Sequence, residues 1–528
     1  MDRNMPPSLK LEEIIEIVRE LREDAIRQEH SLERIIVALQ ARAEQFKDDG
    51  DWAEASSPPP WRPAYGRERL LGAAQAPLKI RRIEVLQSTQ YDIVTRLRNT
   101  RLGRLYRSHL KRYTVIRALA HWIWRNGYPI YMNQLAKRLP DRRKRRWRML
   151  TKQSEFAEKH KLPVFQLESE TRLETPEPKI YPACEQSCLG PRPERYIFPP
   201  ISVAILPNAT TYGGTNLILA NGEVIFHDLY DFERDYTGEE LHGRALIDPQ
   251  SMCARWMLHD DAPESAPVAA TFVDACASNY AHWITEVLPR MMLFCDNERF
   301  NDVPVVVNDG LHQNIMESLL LVAGEHREII TLPIGRALVV DQLHLTSVAG
   351  YVPFEQRTTK LSGHSHGLFS TRALGVLRNH LDGIVLDAEE EPWPEKIFLR
   401  RNSGARRVTN IVELEKLVVA RGYVIVEPEK LTFSQQVQLF RNAKEIVGPT
   451  GAALANAIFC QPGTRVAIFM AKHDSMIYRY WSNMLGPLQV SVFYVLGNIV
   501  KNHDFGIHGD FFINPSDVID LLGGFDKK

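Results

Sequence analysis

His282, Glu286 and Arg290 stand at four-residue intervals in the run Asn279-Tyr-Ala-His282-Trp283-Ile-Thr-Glu286-Val-Leu-Pro289-Arg290. On a helix that spacing puts all three on one face. A His and a Glu one turn apart can act as a proton acceptor and its orienter, or hold a substrate hydroxyl. A mutually satisfied helical pair is the alternative. A second group, Arg400, Arg401, Arg406 and Arg407, falls in a loop that closes at Asn410. Arginine grips phosphate oxygens through paired N–H groups and does not lose its charge. The loop is therefore an anion site or a solvated basic surface. A third group, Gly448-Pro-Thr450-Gly451-Ala452, leads into a run through Asn456. Glycine lets backbone amides approach a ligand, and a helix start favours negative charge, which suits phosphate or diphosphate. The group is neither a Walker loop nor a dinucleotide fingerprint, so it signals neither ATPase nor dehydrogenase chemistry. No Asp-x-Asp pair follows a strand, so no metal is required. Cys184-x-x-x-Cys188 lacks the second ligand pair that zinc needs.

The elements that must position these groups follow from periodicity. Pro289 must end or kink a helix predicted over 279–294. Leu217–Phe226 predicts a hairpin around Asn221-Gly222, after a strand at 201–206. Strands at 303–307 and 337–345 alternate with helices at 312–322 and 367–381. Acidic residues 387–391, then Pro392-Trp-Pro394, mark a hinge. Beyond it the order is strand 396–399, helix 411–420, strand 423–426, helix 434–442, strand 445–447, helix 452–459 and strand 465–469. That alternation demands a mainly parallel sheet covered by helices, with the loops at its carboxyl ends facing a ligand crevice. The expected fold is α/β, with Rossmann-like doubly wound domains at 201–386 and 387–528 and a cleft between them.

Taken together, Asn279-Tyr-Ala-His282-Trp283, Glu286, Leu288-Pro289-Arg290, Arg401, Arg406-Arg407-Val-Thr-Asn410, Gly448-Pro-Thr-Gly451-Ala452-Ala-Leu-Ala-Asn456 and Pro462-Gly463-Thr464 resemble glycosyltransferase family 61 in residues, order and interval. The resemblance covers roughly 200–497. It implies a GT-B fold and an inverting enzyme of bacterial capsule, exopolysaccharide or O-antigen type. Such an enzyme moves a sugar from a nucleotide-diphosphate donor to a growing or lipid-linked glycan and needs no further cofactor. On that reading Arg401, Arg406, Arg407, Asn410, Gly448, Thr450, Gly451, Ala452 and Asn456 bind the donor. His282 or Glu286 is the base, and Asn279, Trp283 and Arg290 serve the acceptor or the structure. Two positions depart from the family: Thr450 stands where it usually has His, and Ile468 where it usually has an acidic residue. Both are expected where such enzymes hold the donor. A non-catalytic scaffold of a polysaccharide assembly complex is the alternative function.

The chain of 528 residues is 44% hydrophobic and 25% charged, ordinary globular composition that excludes wholly disordered, collagenous or disulfide-scaffold classes. Its formal net charge of zero hides a block at 94–152 with 18 Lys/Arg and a single acid, Asp141. Leu102, Leu105, Tyr106, Leu110, Tyr113, Ile116, Ala120 and Trp124 form an apolar stripe there at helical spacing. A basic amphipathic region at 94–160 suits an anionic membrane surface, with nucleic acid or a solvated bundle face as rivals; nucleic acid is not the expected partner. Leu11, Ile14, Val18, Leu21, Ala25, Gln28, Leu32, Ile35 and Leu39 trace a heptad seam within 1–50, a coiled coil joining copies of the chain or a long packed helix. Residues 51–93 are expected to be a linker, and 161–200, with eight prolines after Leu162, an extended connector. Six cysteines, no signal-peptide pattern and no long apolar run imply a reducing compartment. The expected location is cytoplasmic, peripheral to the inner face of the membrane.

Overall fold

The computed structural model describes residues 79–84, 105–106, 147–189, 194–324, 326–353, 355–356, 366–383, 392–402, 406–474, 476–500 and 509–526. The heptad seam, the hinge at 387–391 and most of the basic block lie outside them. The architecture is mixed α/β, built on one 12-stranded and one 7-stranded sheet with smaller two-stranded pairs. Among the described residues, no helix is long and apolar enough to cross a membrane.

The C-terminal sheet is the cleaner of the two. Its parallel strands lie in the order Val424–Val426, Lys396–Leu399, Glu445–Pro449, Arg465–Ala471, Ser491–Ile499. In chain order that is 2-1-3-4-5, the doubly wound pattern, with its direction reversing between the first strand and the third. The strand Ser491–Ile499 extends the alternation past the point where the periodicity was legible. Buried on both faces, these strands are short apolar runs, and the amphipathic helices Ile411–Val419 and Phe433–Asn442 cover them.

In the N-terminal sheet Glu264–Thr271, Val305–Asn308 and Ile329–Leu332 form a β-α-β-α-β unit through helices at 280–295 and 313–323. Ala337–Thr346 lies parallel on the far side of Glu264–Thr271. The doubly wound expectation stops there. Ile201–Tyr212 pairs antiparallel with Ala337–Thr346, and a largely antiparallel extension follows. Its hairpin turns at Asn221 and Gly222, both at positive φ (48° and 80°), as an Asn-Gly turn requires. Three neighbouring strands skip a pair at one level, at Pro267, Asp341 and Asn208. Proline brings no N–H to a ladder, and Asn208 adopts φ 47°. The sheet folds over at this line. Thr271 and Thr211 then meet, hydroxyl to hydroxyl, at 3.0 Å, although their register partners Leu345 and Leu338 lie at opposite ends of one strand.

Three segment assignments change. The 161–200 connector contributes Val164–Glu168 to the N-terminal sheet and Lys179–Tyr181 to the C-terminal one, so it laces the two together. Ile80–Arg82, in the expected linker, extends the N-terminal sheet beside Ile329–Leu332. Trp147–Lys152, in the expected helical region, is a strand between Glu223–Phe226 and Cys253–Trp256. Strands this short, bounded by prolines or charges, gain their pairing from distant partners, which periodicity cannot register. One apolar core joins the halves, with Ile284, Leu288 and Leu374 packed in the same cluster as Leu399, Phe433 and Ile458.

Candidate active site

In the N-terminal sheet the winding reverses between Glu264–Thr271 and Ala337–Thr346, where a crevice is expected. Asp274 lies just past the first strand and Val348 just past the second, and both line a cavity with His282 and Glu286. The helix carrying that pair begins at Asn279, whose side chain caps the amide of Ala281 at 3.0 Å. It widens into a π turn at Trp283–Val287 and resumes as Leu288–Cys295. Pro289 has no N–H to give the preceding turn, and a π turn absorbs such a defect. Gly350 passes beside it. A Cβ there would sit 2.7 Å from the Thr285 carbonyl oxygen and 3.1 Å from Glu286 Cγ.

His282 Nδ1 is hydrogen-bonded to Glu286 Oε1. Burial pulls the imidazole pKa down, but the Glu286 and Asp274 carboxylates outweigh it, and the net shift is upward. Arg290 is buried over Phe272, with Nη2 3.7 Å from Asp274 Oδ2. Trp283 points away into the core, where its Nε1 donates to Ser318 Oγ at 2.8 Å. Asn279 and Trp283 are thus built into the helix, while Arg290 faces the crevice.

In the C-terminal sheet the reversal falls between Lys396–Leu399 and Glu445–Pro449, and the arginine and glycine loops leave the carboxyl ends of those two strands. The structure splits the four arginines in half. Arg400 forms a double hydrogen bond with Glu415, at 2.7 and 2.8 Å. Arg407, exposed, holds Asp510 through Nη2 at 2.7 Å. Arg401 instead reaches the Thr450 carbonyl oxygen. Burial lowers its pKa to about 10, with the Arg406 charge as the second cause. Arg406 adopts φ 56°, burial lowers its pKa as well, and its buried Nε has no hydrogen-bond partner.

Several expected donor ligands have internal partners. Asn410 pins the chain near the C-terminus through the backbone of Ile513, at 2.8 and 3.2 Å. Asn456, fully buried, accepts from Tyr280 Oη at 2.6 Å and donates to Gln436 Oε1 at 2.7 Å. Gly448 serves close packing, since a Cβ would lie 2.8 Å from the Leu399 carbonyl oxygen. Gly451 makes room for the Arg401 guanidinium, 3.3 Å from where its Cβ would be, and Ala452 is exposed beside it. Thr450 also accepts a hydrogen bond from Trp481 Nε1 at 3.3 Å. Ile468 is paired between Gly448 and Tyr494 and fully buried, so this position belongs to the sheet core and not to the donor surface.

The two clusters meet at Tyr480. Its hydroxyl lies near Thr285, with the Glu286 carboxylate and the Arg406 guanidinium acting on it in opposite directions; burial raises its pKa. Tyr280 and Tyr480 thereby bracket the His282 turn and tie it to the C-terminal half. Asp274, an acid at the end of an apolar strand, was visible in sequence as such. Tyr480, Asn216 and His227 carried no local signal.

Two strand-end clusters, one rich in arginine and one carrying a histidine–carboxylate pair, are suited in chemistry to group transfer. Residues 280–467 match the family model described as Glycosyltransferase 61. That segment is similar to glycosyltransferase family 61 and includes His282, Glu286, Arg401 and Arg406. No curated protein matches the chain.

Proposed function

We propose that the protein is an inverting, GT-B-type glycosyltransferase that transfers a sugar from a nucleotide-diphosphate donor to a hydroxyl of a growing or lipid-linked glycan. One observation carries the reading. Arg401 and Arg406 are partly buried next to each other, and the buried Arg406 Nε has no hydrogen-bond partner. Two guanidiniums brought out of water at one place are costly unless an anion joins them. A diphosphate supplies that anion, and the same charges stabilise it as it leaves. Across the crevice His282 acts as the base for the acceptor hydroxyl. Glu286 is its positioning residue: it engages Nδ1 and stabilises the imidazolium that forms, the division of labour of a catalytic dyad. Direct displacement by that hydroxyl inverts the anomeric carbon.

The test is thermal shift and calorimetry with UDP, GDP and CMP, alone and as their sugars. Stabilisation by one nucleotide, lost in Arg406→Met, supports the reading. No response to any of them favours the scaffold alternative. The basic block and the heptad seam fit this enzyme as a tether to an anionic inner membrane face and as a means of self-association. Salt-sensitive flotation with anionic liposomes checks the first, and light scattering after deletion of residues 1–46 checks the second.

A further inference from the structure

In the N-terminal crevice, four side chains have buried polar atoms without a hydrogen-bond partner: Asn216 Oδ1, His227 Nδ1, Thr346 Oγ1, and Arg290 Nε and Nη2, the last with only its long ion pair to Asp274. All four line one recess together, and the Thr346 hydroxyl, able to donate or accept, suits a hydroxyl ligand as well. That recess shares Asn216, His227 and Val348 with the cavity of His282, Glu286 and Asp274. The remaining contacts hold them in place. Asn216 Nδ2 donates to Asp274 Oδ2 at 3.4 Å, and its backbone N–H to Glu239 Oε1 at 3.2 Å. The His227 ring stacks on Tyr230 at a centroid separation of 3.9 Å. Arg290 is wedged over Phe272 and stops 3.7 Å from Asp274.

Donor and acceptor counting says what such a recess recognises. Asn216 Oδ1 only accepts and Arg290 only donates. Burial keeps His227 neutral, its pKa down at about 3 with the Arg290 charge as the lesser cause, so one of its ring nitrogens accepts. A carboxylate has nothing to donate to Asn216 Oδ1 and would lie near Asp274 and Glu286. An ammonium has nothing with which to accept from Arg290. A hydroxyl does both.

We propose that this recess seats the hydroxyl-bearing edge of an uncharged acceptor sugar, with Asn216, His227 and Arg290 as its ligands, and that it rejects uronic acids and amino sugars at that position. The proposal rests on the glycosyltransferase reading and adds to it the acceptor's chemical class. An adjacent hydroxyl then reaches His282 through the cavity that shares these walls.

Saturation-transfer NMR on the full chain tests this with methyl glucoside, galactoside and mannoside, against methyl glucuronide and methyl glucosaminide, each with and without UDP, GDP or CMP. At least one neutral glycoside should bind, and the charged ones roughly tenfold or more weakly. Asn216→Ala and His227→Phe should each weaken the neutral glycoside by about tenfold while nucleotide affinity stays at the wild-type value. His227→Gln, which keeps a polar side chain, should recover part of the loss. If a variant unfolds, the other two and the glycoside panel still decide. Equal binding of the glucuronide or the glucosaminide, or unchanged affinity in the folded variants, overturns the proposal. So does saturation transfer to no glycoside at all, which would mean that water alone occupies the recess. Calorimetry with the nucleotide in the same samples reports separately on the function reading.

Discussion

The two crevices are made of opposite materials. In the N-terminal one, charges answer each other: His282 with Glu286, and Arg290 toward Asp274. In the C-terminal one, Arg401 reaches a backbone carbonyl and Arg406 faces a phenol, with burial weakening the hold of both on their charge. A self-neutralised site can hold an uncharged substrate and move a proton. In the proposed function the more cationic site takes the anionic donor. The same contrast recurs within seven-odd residues of one loop, where Arg400 and Arg407 are paired with carboxylates and serve the fold. Type and spacing do not separate the two kinds of arginine; their neighbours do.

The largest expected effect comes from removing the proposed base. His282→Gln should lower turnover by about 10²–10⁴-fold while nucleotide affinity by calorimetry stays unchanged; equal loss of both would make the pair structural. Next is the contrast between arginines. Arg400→Met leaves buried Glu415 without its partner and should cost about 3 kcal/mol of stability, read by urea denaturation, with nucleotide binding retained. Arg406→Met should do the reverse: binding weakens by about 1.5–3 kcal/mol, while the ligand-free protein melts no lower than wild type, because a poorly compensated buried charge is gone.

A pH series sharpens the comparison further. The folded pKa of His282 is raised above its ordinary value of about 6.5. Stability from the dyad is therefore fully present below about 6.5 and is lost as pH rises through the folded pKa. A base must be neutral, so turnover should rise over that same window. Opposite trends in melting temperature and rate, both flattened in His282→Gln, are the expected result. The smallest effect is that of Arg407→Ala. The guanidinium is exposed and buried Asp510 keeps its hydrogen bond from the backbone N–H of residue 407, so the change should cost about 1 kcal/mol and leave nucleotide affinity untouched.

The C-terminal sheet was legible almost strand by strand, because buried parallel strands and the amphipathic helices between them write their periods into contiguous residues. The Asn221-Gly222 turn and the helix carrying His282 and Glu286 were legible for the same local reason, as was the strand-to-loop placement of the arginines. What the chain could not show locally was decided by partners far away in sequence. Ile80–Arg82, Trp147–Lys152 and Lys179–Tyr181 are strands only because distant edges accept them. Arg407 and Asn410 have internal partners because Asp510 and Ile513 reach them. Tyr480, some two hundred residues beyond Glu286, stands beside it only after the two halves share a core. Sequence alone determined which chemistry was present. Tertiary structure decided which of those groups remain without an internal partner, because neutralisation and burial depend on what packs against a side chain and not on what precedes it.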